Sequence, residues 1–338
     1  MKEKIVLSFL ITFYNQENFV DRCLSAISQM ELPFEYEVLV GDDGSTDNTL
    51  VNLNNYRTNF QNFHIFTQER KPDFNYNPIV RASLNRLSIL SRASGDYLVF
   101  IDGDDFVCNQ EHFVKAISFL ENNPQIGAFA GNFRYLNLET PDNDNSAVPN
   151  EGLISFSEYL SKYYLHVGCF IFRNTLNNKV VAKFKRLKNF DDSMIAFAFL
   201  YGGHFFFSKN VCYSYQQNQS SLWSDANQHY RDLLQVLDLD VFFYVFGYRF
   251  FIPMFRRNSS YLISLYMQCK SNKINLPEKN KKYLLDWTND ITYSFCRIFT
   301  NWEKEKYLTK LALCAFIESF KFSSKIYKKM RRTLNPPA

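Results

Sequence analysis

Apolar runs and amphipathic stretches alternate along the first half of the chain. Ile5–Thr12 is a short, continuous apolar run, which is typical of a β-strand covered on both faces. The apolar residues that follow it recur at helical spacing: Phe19, Val20, Leu24, Ile27 and Met30. The chain therefore begins with a buried strand followed by an amphipathic helix.

The same alternation continues to about residue 135. The strands that it predicts are Glu37–Val40, His64–Thr67, Tyr97–Ile101 and Gly127–Tyr135. The helical patterns between them are Leu50–Leu53, preceded by the capping residues Ser45, Thr46 and Asp47, then Ile79–Leu90 and His112–Glu121. Strands that alternate with helices predict an α/β fold: a parallel or mostly parallel sheet with helices on both faces.

The second half is less regular. Glu139–Pro149 is polar and rich in Asn, Asp and Pro, so we expect a mobile surface loop. Beyond it the pattern predicts a helix at Phe156–Tyr164, a strand at Val167–Phe172, a helix at Asp191–Tyr201 and a strand at Phe205–Tyr215. From Ser224 onward the pattern is helical, aromatic and basic. We expect one domain over 1–223, made of halves 1–110 and 111–223, and a helical C-terminal region over 224–338.

Composition places the chain among globular proteins. It has 338 residues, of which 46% are hydrophobic and 21% are charged, so it is neither disordered nor fibrous. Its seven cysteines are scattered without a CxxC spacing, which favours a reducing cytoplasm. Lys2 and Lys4 before an apolar run resemble a signal peptide, but no small-residue cleavage site follows. No stretch reaches the roughly 18 uninterrupted apolar residues of a membrane span.

Charge is unevenly distributed. Residues 256–338 hold 17 Lys and Arg against six Asp and Glu, whereas the whole chain has a net charge of only +4. The body of the protein is therefore acidic and its C-terminal region is basic. Basic tails bind phosphates, either in nucleic acids or in membrane headgroups.

Two acidic clusters follow predicted strands directly. Asp42-Asp43 comes after Glu37–Val40, and Asp102-Gly103-Asp104-Asp105 comes after Tyr97–Ile101. Ligands of open α/β sheets bind at the carboxyl ends of strands, and buried carboxylates there are costly without a cation or a hydrogen-bonding ligand. Carboxylate oxygens suit Mg²⁺ or Mn²⁺ held together with substrate phosphates. The alternative is that each cluster is an Asp-rich turn that caps a helix.

Three segments carry a resemblance to a known family. They are ITFYNQENFVDRCLSAI, YEVLVGDDGSTDNTL and GDYLVFIDGDDF, and together they span about the first 110 residues. In this order and spacing the chain resembles the family 2 glycosyltransferases. The resemblance implies the GT-A fold and an inverting transfer of a sugar from a nucleotide diphosphate donor, most often a UDP-sugar.

The resemblance also implies roles for individual residues. Nucleotide-binding positions would be Thr12, Tyr14, Glu17, Asp42 and Asp43, with Asp43 contacting the base. Asp102-Gly103-Asp104 matches the family's DxD motif. Asp104 would then ligate Mn²⁺ or Mg²⁺ at the donor diphosphate, Asp102 would contact the donor or the metal, and Asp105 would share the metal. For Tyr14 the alternative is simple core packing.

A second acidic pair begins a later helix. Family members carry such a pair, and its second member is the catalytic base; FDDSMIAFAFLYGG supplies Asp191 and Asp192 here. A base of this kind takes the proton of the acceptor hydroxyl as that oxygen attacks the anomeric carbon. The resemblance makes Asp192 the candidate base. The alternative is that both carboxylates only stabilise the helix N-terminus.

Several other polar residues call for simpler interpretations. We expect Arg81 and Arg86 to lie on a solvated helix face; the alternative is that they meet a phosphate. We expect His166 and His204 to have structural roles; the alternatives are that His166 faces an acceptor and that His204 contacts phosphate or metal. Gln228–Arg231 resembles the QxxRW motif of processive synthases, but Asp232 stands in place of the Trp. We therefore expect a single-sugar transfer rather than polymerisation.

The sequence leaves two functional classes. The first is a cytoplasmic glycosyltransferase acting on a surface-glycan or lipid-linked acceptor, such as lipooligosaccharide or capsule, with its basic C-terminus touching anionic membrane. The second is a catalytically inactive relative that serves as a glycan-binding or scaffold subunit. No nucleic-acid-binding motif is present, so we expect no nucleic-acid partner.

Overall fold

The apolar runs of the first hundred residues form four adjacent parallel strands in a nine-stranded mixed sheet. The computed structural model describes residues 4–70, 78–136, 148–176, 178–185, 190–201 and 203–216. In chain order its strands are β1 (Leu7–Phe13), β2 (Tyr36–Asp42), β3 (Phe63–Thr67), β4 (Tyr97–Asp102), β5 (Phe106–Val107), β6 (Ala128–Leu136), β7 (Gly152–Ser155), β8 (Phe170–Arg173) and β9 (His204–Gln216).

Helices connect most of these strands. They are α1 (Val20–Ser28), α2 (Thr49–Asn55), α3 (Pro78–Leu90), α4 (Gln110–Asn122), α5 (Phe156–Lys162), α6 (Asn178–Phe184) and α7 (Asp192–Leu200). A 3₁₀ turn, Val167–Cys169, leads into β8.

The strand order is β3-β2-β1-β4-β8-β6-β9-β5, and β7 pairs with β9. β3, β2, β1 and β4 are mutually parallel, β8 runs antiparallel between β4 and β6, and β6 and β9 are parallel to each other. The carboxyl ends of β1, β2, β4, β6 and β9 therefore face the same edge of the sheet. This edge carries the acidic clusters.

The core follows the apolar patterns of the sequence. β1 and β4 are central strands with neighbours on both sides, and their apolar side chains are buried. α1 buries one stripe, Val20, Cys23, Leu24 and Ile27, as its helical spacing predicts. α7 is buried over its whole length from Met194 to Leu200, so it is an interior helix rather than an amphipathic surface helix.

Most predicted elements are present with ends shifted by one or two residues. Three short elements were not predicted: β5, β7 and α6. The expected strand at Val167–Phe172 is half wrong, because Val167–Cys169 forms a 3₁₀ turn whose cap is the imidazole of His166. The predicted cap of α2 is also modified: Asn48 makes no side-chain cap bond, and Asp47 accepts the N–H of Thr49 instead.

The chain divides into two units, Met1–Leu222 and Trp223–Ala338, and all described residues lie in the first. The predicted helical region over 224–338 and nearly all of the predicted loop at Glu139–Pro149 lie outside the described residues. Among the described helices, none combines the length and apolar character that crossing a membrane would require.

Candidate active site

Strand register brings the first predicted site residues together. In the pairing of β1 with its two neighbours, Phe13 lies beside Asp42 and Thr12 lies beside Asp102. The hydroxyl of Thr12 also donates to Oδ1 of Asp102 at 3.3 Å. The two members of these pairs are 29 and 90 positions apart in the sequence, and the parallel sheet gathers them at one edge.

Asp42 and Glu17 hold loops at this edge. The Asp42 carboxylate is fully buried and accepts the N–H groups of Gly44 and Ser45 at 3.2 Å. Glu17 accepts the N–H of Asn48 at 2.8 Å, and its own N–H donates to Asp47 at 3.1 Å. Both residues therefore shape the loop after β2, and their side chains are already engaged.

Asp43 is held by two arginines. Its buried carboxylate forms ion pairs with Arg70 and with Arg81, the latter at 2.6 Å. The Arg70 guanidinium also lies over the Tyr14 ring, 3.8 Å from its centroid. Tyr14 is 38% exposed, so the core-packing alternative for it is wrong. One corner of this edge of the sheet therefore holds the Arg70 guanidinium, the exposed Tyr14 ring and the Asp43 carboxylate.

Asp102, the first acid of the DxD motif, pairs with Arg86. The Arg86 Nη2 atom lies 2.6 and 2.9 Å from the two carboxylate oxygens. Burial raises the pKa of Asp102, but the charge of Arg86, with a smaller contribution from His166, outweighs burial and lowers the pKa overall. The expected solvated face for Arg81 and Arg86 is therefore wrong: Arg81 is buried and Arg86 is half-buried, and each pairs with an acid of the site.

Gly103 lies where no larger residue fits. Its N–H donates to the carbonyl of Thr12 at 2.9 Å, which holds it against β1. A Cβ atom at this position would overlap the buried ring of Phe13. Glycine is thus required for close approach of the acidic loop to β1.

Asp104 and Asp105 are crowded carboxyls. Burial, together with the charge of Asp102, raises the pKa of Asp104 to about 6. Burial and the neighbouring charges of Asp104 and Asp102 also raise the pKa of Asp105 well above its usual range. Asp105 accepts the Tyr213 hydroxyl and the Gln216 N–H, each at 2.7 Å. Crowded acids of this kind are stabilised by a cation.

His166 connects the DxD loop to the second acidic pair. Its Nε2 atom lies 3.7 Å from Oδ2 of Asp105 and 3.5 Å from Oδ2 of Asp192. Its Nδ1 atom accepts the N–H of Gly168 at 3.2 Å, and its ring stacks on Tyr213 with centroids 4.9 Å apart. The ring orientation is therefore fixed, and Nε2 is directed between the two carboxylates.

The two residues of the second acidic pair, Asp191 and Asp192, make different contacts. Asp191 is the N-cap of α7, because its carboxylate accepts the N–H of Met194 at 3.0 Å. Asp192 is the first residue of the helix, and its carboxylate accepts the N–H of Val167 at 3.3 Å while keeping 20% of its side chain exposed. Capping explains Asp191, whereas Asp192 faces the acidic cluster.

The donor set suits a hard divalent cation. One ligand atom each from Asp102, Asp105 and His166 lie within 4.8 Å of one another. His166 fits better as a hydrogen-bond donor: because Nδ1 accepts, the proton of the neutral ring is on Nε2. Burial, and then the charges of neighbouring carboxylates, raises the pKa values of Asp104 and Asp105, and a cation would relieve that repulsion. Oxygen ligands from this loop fit Mn²⁺ or Mg²⁺.

The structure thus gathers the DxD acids and Asp192 around His166, and it places Tyr14 and Asp43 at the neighbouring corner. Sequence reasoning missed the three arginines and Tyr213 as partners of these acids. Buried carboxylates in the sequence implied that cations must accompany them, but the pattern did not tell which arginines would be close.

An α/β sheet of this topology, with a DxD loop beside a second acidic pair, defines a sugar-transferring enzyme of the GT-A type. The family model "Glycosyl transferase family 2" matches residues 8–181, just over half of the chain. The chain belongs to this family, the family 2 glycosyltransferases.

Curated relatives are similar over about a third of this chain. A poly(ribitol-phosphate) beta-glucosyltransferase of Bacillus spizizenii is 28% identical over 118 residues, which are 35% of this chain and 17% of that protein. The poly(ribitol-phosphate) beta-N-acetylglucosaminyltransferase TarS of Staphylococcus aureus is 30% identical over 115 residues, which are 34% of this chain and 18% of that protein. This chain therefore matches less than a fifth of the length of either relative.

The fold has a solved counterpart. The crystal structure of S. aureus TarS 1–349 in complex with UDP-GlcNAc matches with a TM-score of 0.59 at 16% identity, covering 96% of this chain and 92% of that chain. The match confirms the predicted GT-A fold.

Proposed function

We propose that this protein transfers a single sugar from a UDP-sugar to a hydroxyl of a surface-glycan or lipid-linked acceptor, with inversion and with Mn²⁺ or Mg²⁺. The observation that carries the proposal is the position of His166, whose Nε2 lies within 3.7 Å of both Asp105 and Asp192. This contact supports one site in which a donor-binding loop and a base act on the same sugar.

The donor would lie along the carboxyl ends of β1, β2 and β4. Tyr14 offers an exposed ring for the base, and Asp43 offers a carboxylate for its N–H groups, with Arg70 beside both. Thr12 and Asp102 lie in register further along the edge, where a ribose or sugar would follow. Glu17 and Asp42 support this pocket by holding the loop after β2.

The diphosphate would lie against the DxD loop. Asp102, Asp104 and Asp105 would hold the divalent cation, which neutralises the departing nucleoside diphosphate. Gly103 keeps these acids close to β1, and Arg86 holds Asp102 in place.

Asp192 would act as general base. Its carboxylate takes the proton of the acceptor hydroxyl as that oxygen bonds to the anomeric carbon. The bond between the anomeric carbon and the diphosphate oxygen breaks in the same step, so the configuration inverts and no enzyme nucleophile is required. Asp191 positions the base by capping α7.

The acceptor class is supported by the relatives, two of which are named for transfer to poly(ribitol-phosphate). The basic residues of 256–338 would bring the enzyme to anionic lipid on the cytoplasmic side of the membrane. The alternative of an inactive glycan-binding or scaffold subunit requires that this set of acids has no catalytic use.

A nucleotide-release screen tests the proposal. Purified full-length protein is incubated with a panel of UDP-, GDP- and other nucleotide sugars, with Mn²⁺ or with EDTA, and free nucleotide is measured. We expect Mn²⁺-dependent release from a UDP-sugar that Asp104→Ala abolishes while the protein keeps its circular dichroism spectrum. Release in EDTA, or undiminished release by the variant, would contradict the metal assignment; no release from any donor would favour the inactive subunit.

A further inference from the structure

Four aromatic residues lie in two register pairs at the carboxyl ends of β6 and β9. Phe133 pairs with Tyr213, and Tyr135 pairs with Tyr215. Because side chains alternate between the faces of a sheet, all four point to the same face. Ring distances agree with this: the Tyr135 and Tyr215 centroids are 5.7 Å apart, and those of Phe133 and Tyr135 are 5.2 Å apart.

A fourth tyrosine, Tyr164, extends this cluster outward. The ring of Tyr164 packs against Phe133 at 6.1 Å with an interplanar angle of 85°, and Tyr164 is 44% exposed. Tyr135 and Tyr215 are half-buried. We call Tyr135, Tyr164 and Tyr215 the tyrosine row. Edge-to-face packing among these rings and Phe133 leaves ring surface open to a ligand.

The tyrosine row begins at the candidate base. The ring of Tyr215 lies 4.8 Å from that of His166, whose Nε2 is 3.5 Å from Asp192. Burial, and then the charges of Asp105 and Asp192, raise the pKa of Tyr215, so both acids act on this phenol. In the strand order, β6 and β9 lie on the opposite side of β4 from β2 and β3, which carry the donor corner. The row therefore leads from Asp192 away from the donor.

The chemistry of the row is neutral. Among the described residues, no lysine or arginine makes a hydrogen bond, ion pair or cation–π contact with its three rings, and none of its hydroxyls has a hydrogen-bond partner. Arg134 alternates to the other face of β6, where its Nε donates to Ser214. Aromatic faces with free hydroxyls suit a sugar ring, which has an apolar C–H face and polar edges, whereas a phosphate would find hydroxyl donors here but no cation among the described residues.

We propose that the tyrosine row is the acceptor subsite and that it takes a neutral pyranose ring in preference to an acyclic polyol phosphate. This inference rests on the proposed function, because it uses Asp192 as the base. It makes the acceptor of this chain chemically different from poly(ribitol-phosphate), the polymer in the names of the relatives.

Saturation-transfer NMR on the full-length protein with UDP and Mn²⁺ tests this. The probes are methyl β-D-glucopyranoside, methyl β-D-galactopyranoside, methyl N-acetyl-β-D-glucosaminide and ribitol 5-phosphate. We expect a saturation-transfer signal, which reports binding, from at least one pyranoside and none from ribitol 5-phosphate. Tyr164→Ser and Tyr215→Ser should bind that pyranoside about three- to tenfold more weakly, as the loss of one aromatic contact predicts. Tyr164→Phe should lose less affinity, and the control Tyr56→Ser, at the residue that follows α2, should lose none.

Each result has a distinct meaning. A saturation-transfer signal from ribitol 5-phosphate alone would overturn the inference while leaving the proposed function intact. Pyranoside binding that is unchanged in both Ser variants would do the same. Failure of the wild-type protein to bind UDP with Mn²⁺, measured by calorimetry in the same buffer, would instead overturn the proposed function. Each variant is also titrated with UDP: a variant that still binds UDP has kept its fold, so its weaker pyranoside binding reports on the tyrosine row. Tyr164→Ser is the less disruptive of the two substitutions because Tyr164 is exposed.

Discussion

Nε2 of His166 lies 3.5 Å from Oδ2 of Asp192. Because Nδ1 of the same ring accepts the N–H of Gly168, the neutral imidazole presents an N–H to the carboxylate. Distances of this size in a protein without substrate shorten when the reacting groups are bound. We propose that His166, from its place between Asp105 and Asp192, positions the Asp192 carboxylate.

Substitution of His166 by Phe should impair catalysis more than donor binding. Phe keeps the stacking on Tyr213 but removes both ring nitrogens. We expect kcat for transfer to fall about 10- to 100-fold, below the full effect of losing a general base. The Kd for UDP should change by less than about threefold, which is under ~0.7 kcal/mol. Steady-state kinetics and calorimetry measure the two quantities, and the pH profile of kcat should change shape.

The exposed His64 on β3 supplies the control for this experiment. His64→Phe should leave kcat, its pH profile and the UDP Kd unchanged. If His166→Phe lowered thermal stability and kcat together, with an unaltered pH profile, a purely structural role for His166 would be indicated and the positioning role would be wrong.

Binding of Mn²⁺ should strengthen as the pH rises through 6. The folded-state pKa of Asp104 is about 6, above its usual value of 3.8, because of burial and the charge of Asp102. A raised carboxyl pKa favours the folded state at low pH, and this contribution is lost as the pH rises through about 6. Mn²⁺ opposes this preference for the protonated form, because it binds the ionised carboxylate of Asp104.

Apparent Mn²⁺ affinity should therefore rise by up to about tenfold per pH unit between pH 5 and 6 if one proton is released. Calorimetry at pH 5, 6 and 7 in low salt measures this. Asp104→Asn should weaken Mn²⁺ binding and flatten its pH dependence. Equal Mn²⁺ affinity at pH 5 and pH 7 in the wild-type protein would show that these acids do not hold the metal.

Gly103→Ala should destabilise the fold and disturb the acidic loop. Its Cβ would overlap the ring of Phe13, which is buried and cannot move freely. Overpacking of this kind costs about 1–3 kcal/mol in the free energy of unfolding. Urea denaturation measures this cost, and Mn²⁺ binding should weaken in parallel.

Gly127→Ala is the matched control, because the atoms nearest to its Cβ are 3.4 Å or more away. This substitution should be neutral or should stabilise by ~0.4–1 kcal/mol through the unfolded chain. Equal effects of the two substitutions would mean that close approach at Gly103 is not what requires glycine.

The sequence predicted the parts of this protein that depend on local patterns. Short continuous apolar runs such as β1 and β4 are typical of buried strands, and an acidic cluster at the end of such a run marks the ligand edge of the sheet. The fold class, the main strands and the acids of the DxD motif were therefore predictable. Short elements such as β5, with two residues, carry too little pattern to be recognised.

The pairing of charges could not be predicted, because it depends on contacts between distant segments. Arg81 and Arg86 lie in an ordinary helical pattern, and only the packing of α3 against the sheet shows that they pair with Asp43 and Asp102. His166 is similar: it is 26 residues from Asp192 in sequence, and the 3₁₀ turn that it caps brings it to the acids. The same turn replaced the start of the predicted strand.

The central claim is that Asp192 is the base of a sugar transfer at the DxD loop. Its most direct test is the comparison of wild-type protein and Asp192→Asn, with UDP-sugar binding measured by calorimetry and transfer measured by product formation, both with Mn²⁺. We expect the variant to bind the donor within about threefold of the wild-type Kd and its transfer rate to fall by about 10²–10⁴-fold. A variant that binds the donor and transfers sugar at the wild-type rate would contradict it.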